Sequence, residues 1–370
     1  MVDKEMIRLF KVYMSESAPK AVSDVLMSGY VGEGAKVEAF EQELAEFIGN
    51  PNVLCVNSGT SALVLGLICA GVTPGDVVIS TPMTCLATNT AILSIGAQIV
   101  WADVDPITGL MTFETIDDAM AECRRLSVEP AAIMCMHWGG LPCDLLAINS
   151  FGPPVIEDAC QALGSAYDGT MIGNHSFATC FSFQAIKTLT TCDGGAIVFD
   201  DIIPLERARL MKWFGLNRKL SSDMRCNQDP TELGYKMQMN DVAAAIGLEN
   251  IKVLRRNLAR MQEIYDLYKA CLYGHQDVAL IEPKGISSNW LCTVLVDGPA
   301  DFIAYMRNLG IECSKVHDRN DTKLIFEPFT RSLPGVKYFN HHHVCIPCGW
   351  WMTNDDVERV IQALKEYKNG

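Results

Sequence analysis

Three short stretches carry residues able to do chemistry together. Asn57-Ser58-Gly59-Thr60-Ser61 ends a strand-like run and opens a helical one at Ala62, Leu63 and Leu65. Its unpaired N–H groups and positive dipole end can seat an anion without basic side chains. Glu157 and Asp158 close the apolar run that begins at Val155. Alternation turns one of them toward a site, where a buried carboxylate needs a cationic partner such as a protonated ring nitrogen. Lys187 lies just past the Phe181-Ser182-Phe183 run, among Ala185, Ile186 and Leu189. Loss of solvent there weakens the amine's hold on its proton and frees it for Schiff-base chemistry. Each fragment alone also has an ordinary reading: a helix cap at Ser58 or Thr60, an N-cap at Asp158, a lysine stem lying along apolar surface. Their order along the chain, each at the end of a strand-like run, combines phosphate seat, carboxylate and amine in one constellation.

The elements that must position them follow from the apolar pattern. Strand-like runs at Val53–Val56, Val77–Ser80, Gln98–Ala102, Ala132–Met136, Val155–Glu157, Ala178–Phe183 and Ala196–Phe199 alternate with helical periods and Gly, Pro or Asp punctuation. These runs are too apolar to leave one face wet, so the pattern predicts an α/β fold: a large three-layer domain with a mostly parallel seven-stranded sheet covered on both faces. Val37, Phe40, Leu44, Phe47 and Ile48 predict an amphipathic helix that Gly49 stops. Asn240 to Cys271 reads as one long helix bridging to a small C-terminal α+β domain. That domain is expected to contain strands at Val278–Ile281, Trp290–Val296 and Ile311–Val316, a helix at Asp301–Leu309, and a last helix capped by Thr353. The division expected is residues 1–250 for the large domain with its N-terminal arm and 251–370 for the small one.

Bulk properties narrow the partners. The 30 basic and 44 acidic residues leave a formal charge of −14, a field opposed to nucleic acid and to anionic membranes. No run approaches the roughly 18 apolar residues of a membrane span, and the opening MVDKEMIRLFKVYM lacks an export signal's apolar core. The 15 cysteines are odd in number and scattered through apolar runs, which predicts free thiols and a cytoplasmic setting. His341-His342-His343 with Cys345 and Cys348 lacks the second paired half of a zinc knuckle, so no metal is expected.

Beyond these fragments, the chain resembles the DegT/DnrJ/EryC1/StrS family of pyridoxal phosphate-dependent sugar aminotransferases, with fold-type I architecture, over nearly its whole length. The resemblance rests on SGYVGEGAKVEAFEQELAEF, NSGTSAL, MHWGGLPCD, VIEDACQALGSAY, CFSFQAIKTLTTCDGGAIV, LGYKMQMNDVAAAIGLENI and VCIPCGWWMTNDD, in that order. It implies that Lys187 and Asp158 are catalytic, Lys187 carrying the coenzyme covalently and Asp158 pairing with its ring nitrogen. It further implies that Gln161 meets the ring hydroxyl, and that Gly59, Thr60, Ser61 and Ser182 hold the phosphate. His137, in the H-x-x-G block, is expected to line the pocket.

Four departures from the family pattern bear on this. Cys85 stands where an aromatic residue often covers the ring, Gln184 replaces a histidine, and Asp193 replaces a glutamate before Gly194-Gly195. Lys236 occupies the place of an asparagine that often reaches the phosphate in the neighbouring subunit, which implies a homodimer with shared active sites. The activity implied is a ping-pong transfer from L-glutamate, which leaves as 2-oxoglutarate, to a nucleotide-linked keto-sugar, a 4-keto-6-deoxyhexose by preference, with pyridoxamine phosphate between the halves. Two alternatives stand beside it: a sugar dehydratase-like member of the family, in which histidine replaces the lysine, and a non-catalytic coenzyme-binding protein.

Overall fold

The computed structural model describes residues 6–220 and 227–367. In chain order the strands are β1 (Val53–Val56), β2 (Val77–Ser80), β3 (Gln98–Trp101), β4 (Pro130–Met136), β5 (Val155–Asp158), the short pair β6 (Ala166–Tyr167) and β7 (Thr170–Met171), then β8 (Ala178–Ser182), β9 (Gly195–Phe199), β10 (Val278–Leu280), β11 (Cys292–Val296) and β12 (His343–Ile346). Seven of them form one sheet in the order β1-β9-β8-β5-β4-β2-β3. It is parallel except at β9, which runs antiparallel to both neighbours. Each predicted run of this sheet is a strand, with ends displaced by at most two residues. β1, β2, β5 and β9 are buried at every position, as expected of strands covered on both faces.

The helix Ala35–Ile48 buries the five predicted apolar residues and ends at Gly49, whose left-handed backbone (φ 81°) donates its N–H to the Ala45 carbonyl. A helix that the periodicity did not predict, Ala18–Met27, precedes it with a proline in its first turn.

Two C-terminal expectations need correction. The long helix is broken into Asp241–Asn250, a 3₁₀ turn Ile251–Val253, and Leu254–Leu272. At this break Asn250 turns its amide away to the Thr190 carbonyl (2.9 Å), and Val253 sits at φ −111°, ψ 0°. Ile311–Val316 is no strand. It touches its neighbours only through single bridges, Ile311 to Ile7 and Ser314 to Cys345, and it ends on Val316 at φ +64°, a conformation that takes a β-branched residue out of any ladder. The third strand of the small antiparallel sheet β10-β11-β12 is instead His343–Ile346. The final helix, Asn354–Glu366, opens with a reciprocal capping box between Thr353 and Asp356.

Two apolar cores result. The larger gathers the seven-stranded sheet and its helices; the smaller joins Ile264, Tyr268, Val294, Phe302, Val344 and Leu364. Leu254 belongs to the first and Tyr268 to the second, so the helix Leu254–Leu272 spans both. No helix among the described residues is long and apolar enough to cross a membrane.

Candidate active site

The carboxyl ends of the central strands open into a cavity of about 560 Å³, a size that takes a cofactor or small substrate. Gly59, Thr60, Cys85, Asp158, Gln161, Ser182 and Lys187 all line it. Three of the predicted residues, Ser61, Lys236 and His137, do not. The Ser61 hydroxyl is turned back to the Asn57 side chain (2.6 Å), and exposed Lys236 rests its Nζ 5.0 Å from the centre of the Trp213 ring.

The anion seat is built by the turn between β1 and the helix Gly59–Cys69. Ser58 caps that helix by accepting the Ser61 N–H (3.1 Å), which leaves the N–H groups of Gly59 and Thr60 for a ligand. Tight packing fixes this turn. A Cβ on Gly195, at the start of β9, would lie 2.5 Å from the Ser58 carbonyl carbon and 2.6 Å from the Gly59 nitrogen, so only glycine lets that strand come so close. A Cβ on Gly59 would lie 2.8 Å from both Cys160 Sγ and Ser182 Cβ.

Alternation on β5 divides the two carboxylates as expected. Asp158 faces the cavity; Glu157 faces the other way, fully buried, and accepts from His137 Nε2 (2.8 Å) and Thr179 Oγ1 (3.0 Å). His137 Nδ1 accepts the Cys143 N–H (3.0 Å), so both of its nitrogens are engaged. His137 therefore lies behind the strand rather than in the pocket, because both ring nitrogens have partners in the interior. Asp158 accepts from Thr88 Oγ1 (2.6 Å) and from the Cys160 N–H (3.1 Å).

Lys187 follows β8 on a turn whose N–H bonds the Gln184 carbonyl (2.9 Å). Burial pushes its ammonium below the usual lysine range, against the pull of the Cys160, Asp158 and Cys85 side chains. Nζ lies 3.8 Å from the centre of the Trp290 ring. The indole is held by an Nε1–H bond to the Ile186 carbonyl (2.9 Å) and by stacking on Phe10 at 5.4 Å.

Further residues of the site come from segments the motifs did not mark. Trp290, Phe10, Glu312 and His317 all line the cavity. Gln161 accepts the Gly139 N–H on Oε1 (2.7 Å) and extends Nε2 to His317 Nε2 (3.0 Å), so the imidazole accepts there. Burial, helped by the neighbouring Lys187 and His343, pushes His317 down to about 4. Trp138 is buried with its N–H on Thr293 (3.1 Å), Trp213 and Arg218 pack on each other, and Arg319 pairs with Asp321, so none of these four reaches the cavity.

Among the described residues no group of three His, Cys, Asp or Glu side chains is placed to hold a metal ion, and every described cysteine is a free thiol. The ring nitrogens of His343 lie against the backbone carbonyls of Phe339 (2.9 Å) and Lys315 (3.0 Å), to one of which the neutral ring donates its single N–H.

A mostly parallel sheet with a lysine, a carboxylate and a helix N-terminus converging at its strand ends defines a fold-type I aminotransferase. The chain belongs to the DegT/DnrJ/EryC1/StrS aminotransferase family, whose profile matches residues 13–365. It is similar to AtS13 from Actinomadura melliaura, 36% identical with a TM-score of 0.93, covering 99% of this chain and 100% of that one. CalS13 from Micromonospora echinospora, described as a sugar aminotransferase, is 34% identical with a TM-score of 0.91, covering 97% and 99%. EpsN of Bacillus subtilis (strain 168), named for a pyridoxal phosphate-dependent aminotransferase, is 28% identical over 381 residues, 97% of this chain and 95% of that protein.

Proposed function

We propose that the enzyme is a pyridoxal phosphate-dependent aminotransferase that moves the amino group of L-glutamate to a nucleotide-linked keto-sugar, a 4-keto-6-deoxyhexose by preference, in ping-pong order. The observation that carries this reading is the meeting in one cavity of a desolvated lysine, a buried carboxylate and a helix N-terminus without basic side chains. The cavity fits vitamin B6 in its donor set: N–H groups of Gly59 and Thr60 with the Ser182 hydroxyl for a phosphate, Asp158 for a ring nitrogen. Ser61 would serve the phosphate seat only by bracing its turn through the Asn57 side chain, while Gln161 would meet the ring hydroxyl and Cys85 would pack on the ring in place of an aromatic side chain.

When bound, the coenzyme supplies an electron sink for the C–H bond broken at the donor's α-carbon. The chain supplies the rest. Lys187 would hold the coenzyme through Nζ and, with that amine free, would be the base that takes the proton from the donor's α-carbon. Asp158 holds the proton on the ring nitrogen, which keeps the sink open.

Sharing of sites in a homodimer is part of the reading. Lys236 is exposed and does not line its own cavity, which supports a role at the phosphate of a second copy. Mixing Lys187→Ala and Lys236→Ala chains should then restore one working site per dimer; failure to restore any activity contradicts sharing. Residues 1–250 and 251–370 are taken as the two units, a division supported by the 3₁₀ turn at Ile251–Val253. Phe326 and Phe339 reach back from the second unit into the larger core.

Adding L-glutamate to the coenzyme-loaded protein should bleach the visible absorbance and release one equivalent of 2-oxoglutarate. A panel of nucleotide-linked 4-keto and 3-keto sugars, followed by mass, then identifies the acceptor. An unchanged spectrum with glutamate would favour a coenzyme-binding protein without catalysis.

A further inference from the structure

Thr84, in the loop before the helix Leu86–Ser94, and Thr88, in its first turn, carry two fully buried hydroxyls in contact. Thr84 Oγ1 and Thr88 Oγ1 lie 2.7 Å apart, and Thr88 Oγ1 lies 2.6 Å from Asp158 Oδ2. An ionised carboxylate only accepts, so Thr88 spends its single proton on Asp158, and Thr84 must donate to Thr88. The direction of the chain is thereby fixed: Thr84 to Thr88 to Asp158. Thr88 forgoes the usual alternative for a helical threonine, a bond to its own helix backbone. Thr90, one turn face away, takes that alternative by donating to the Leu86 carbonyl (2.9 Å).

The upstream end is locked from far along the chain. Asn320, buried, donates its Nδ2 to the Thr84 carbonyl (2.9 Å) and its backbone N–H to the Pro82 carbonyl (2.8 Å). Its Oδ1 accepts from Asn89 Nδ2 (2.9 Å), and Asn89 Oδ1 in turn accepts from Ser80 Oγ (2.7 Å). A buried polar cluster so completely paired holds one arrangement rather than several.

We infer that Thr84 and Thr88 are positioning residues, a two-hydroxyl relay that holds the Asp158 carboxylate aimed into the cavity, with Asn320 locking the loop that carries Thr84. The inference rests on the proposed pairing of Asp158 with the ring nitrogen of vitamin B6. A hydrogen bond from Thr88 stabilises the charged carboxylate, and a charged carboxylate is the form that holds a protonated ring nitrogen.

Binding rather than turnover tests it. The probes are pyridoxamine phosphate and its analogue with carbon in place of the ring nitrogen, titrated by quenching of tryptophan fluorescence. Thr88→Val should weaken pyridoxamine phosphate by about tenfold, the loss expected for a hydrogen bond to a charged group, while leaving the carbon analogue unchanged. Thr88→Ser, which restores the hydroxyl, should bind within about twofold of the native protein. Equal weakening of both probes would mean that Thr88 only packs the loop and would overturn the relay, as would no weakening of either. Asp158→Asn separates the two levels of the account. If it leaves the preference for the ring nitrogen intact, the pairing of Asp158 itself is wrong; if it abolishes that preference while Thr88→Val does not touch it, only the relay is wrong. Should Thr88→Val not fold, Thr84→Val removes the upstream donor and should give a smaller, probe-selective loss; its absence would count equally against the relay.

Discussion

Trp290 offers the sharpest physical test of how Lys187 is tuned. Its ring face lies 3.8 Å from Nζ, a distance at which the aromatic quadrupole favours the ammonium form. For a desolvated cation this attraction is worth roughly 1–2 kcal/mol, and one pKa unit corresponds to about 1.4 kcal/mol. Replacing the indole by an apolar side chain should therefore lower the proton affinity of Lys187, already below the ordinary lysine range, by about one further unit. The assay is the rate at which coenzyme-free protein combines with pyridoxal phosphate, followed by absorbance across pH; its midpoint reports the free amine. Trp290→Leu should move that midpoint down by about one unit, and Trp290→Phe, which keeps an aromatic face, by less than half as much. The competing effect has the opposite sign. If the indole acts chiefly as a barrier to water, removing it hydrates the ammonium and raises the midpoint, and an upward shift would refute the cation–π reasoning.

Other expectations follow from the same geometry. Gly195→Ala forces a Cβ against the Ser58–Gly59 backbone and should cost about 1–3 kcal/mol in urea unfolding while weakening phosphate binding at the helix N-terminus; native-like values would show that the turn can yield. His317, pushed down to about 4 by burial, stays neutral in the folded coenzyme-free protein while the unfolded chain takes up a proton near pH 6.5. Stability should thus be lost as pH falls from about 6.5 to 4, by up to about 3 kcal/mol, and His317→Gln should flatten that decline in urea midpoints; an unaltered slope would count against a neutral His317. Lys212, almost wholly buried, meets Glu33 (2.6 Å), Glu41 (3.6 Å) and the Cys55 carbonyl (3.1 Å). Lys212→Met leaves two carboxylates facing each other and should cost about 3 kcal/mol by denaturant unfolding, with a loss under about 0.5 kcal/mol contradicting a structural role.

The large sheet was legible because its strands are buried on both faces. Val53–Val56 has no polar interruption, and the Gly59 that follows it, like the Asp158 that ends Val155–Asp158, also marks where a ligand sits. Alternation alone left Asp158 and Glu157 undivided; the resemblance singled out Asp158, and the sheet turns that side chain to the cavity. Trp290, Phe10 and His317 carry no local signal. They reach the cavity from the segment leading into β11, an N-terminal arm and a loop at a positive-φ valine, and their meeting is a product of packing between segments as far apart in the chain as Phe10 and His317. Ile311–Val316 was misread for the related reason that an alternating apolar pattern does not reveal a backbone that bends at Val316. His137 was misplaced because the H-x-x-G pattern marks a position near the site without saying on which side of β5 the imidazole falls.

Reductive trapping tests the central claim most directly. Treating the protein with pyridoxal phosphate and then borohydride should add one phosphopyridoxyl group per chain, found by peptide mass at Lys187. A modification at any other lysine, or none, would contradict the account.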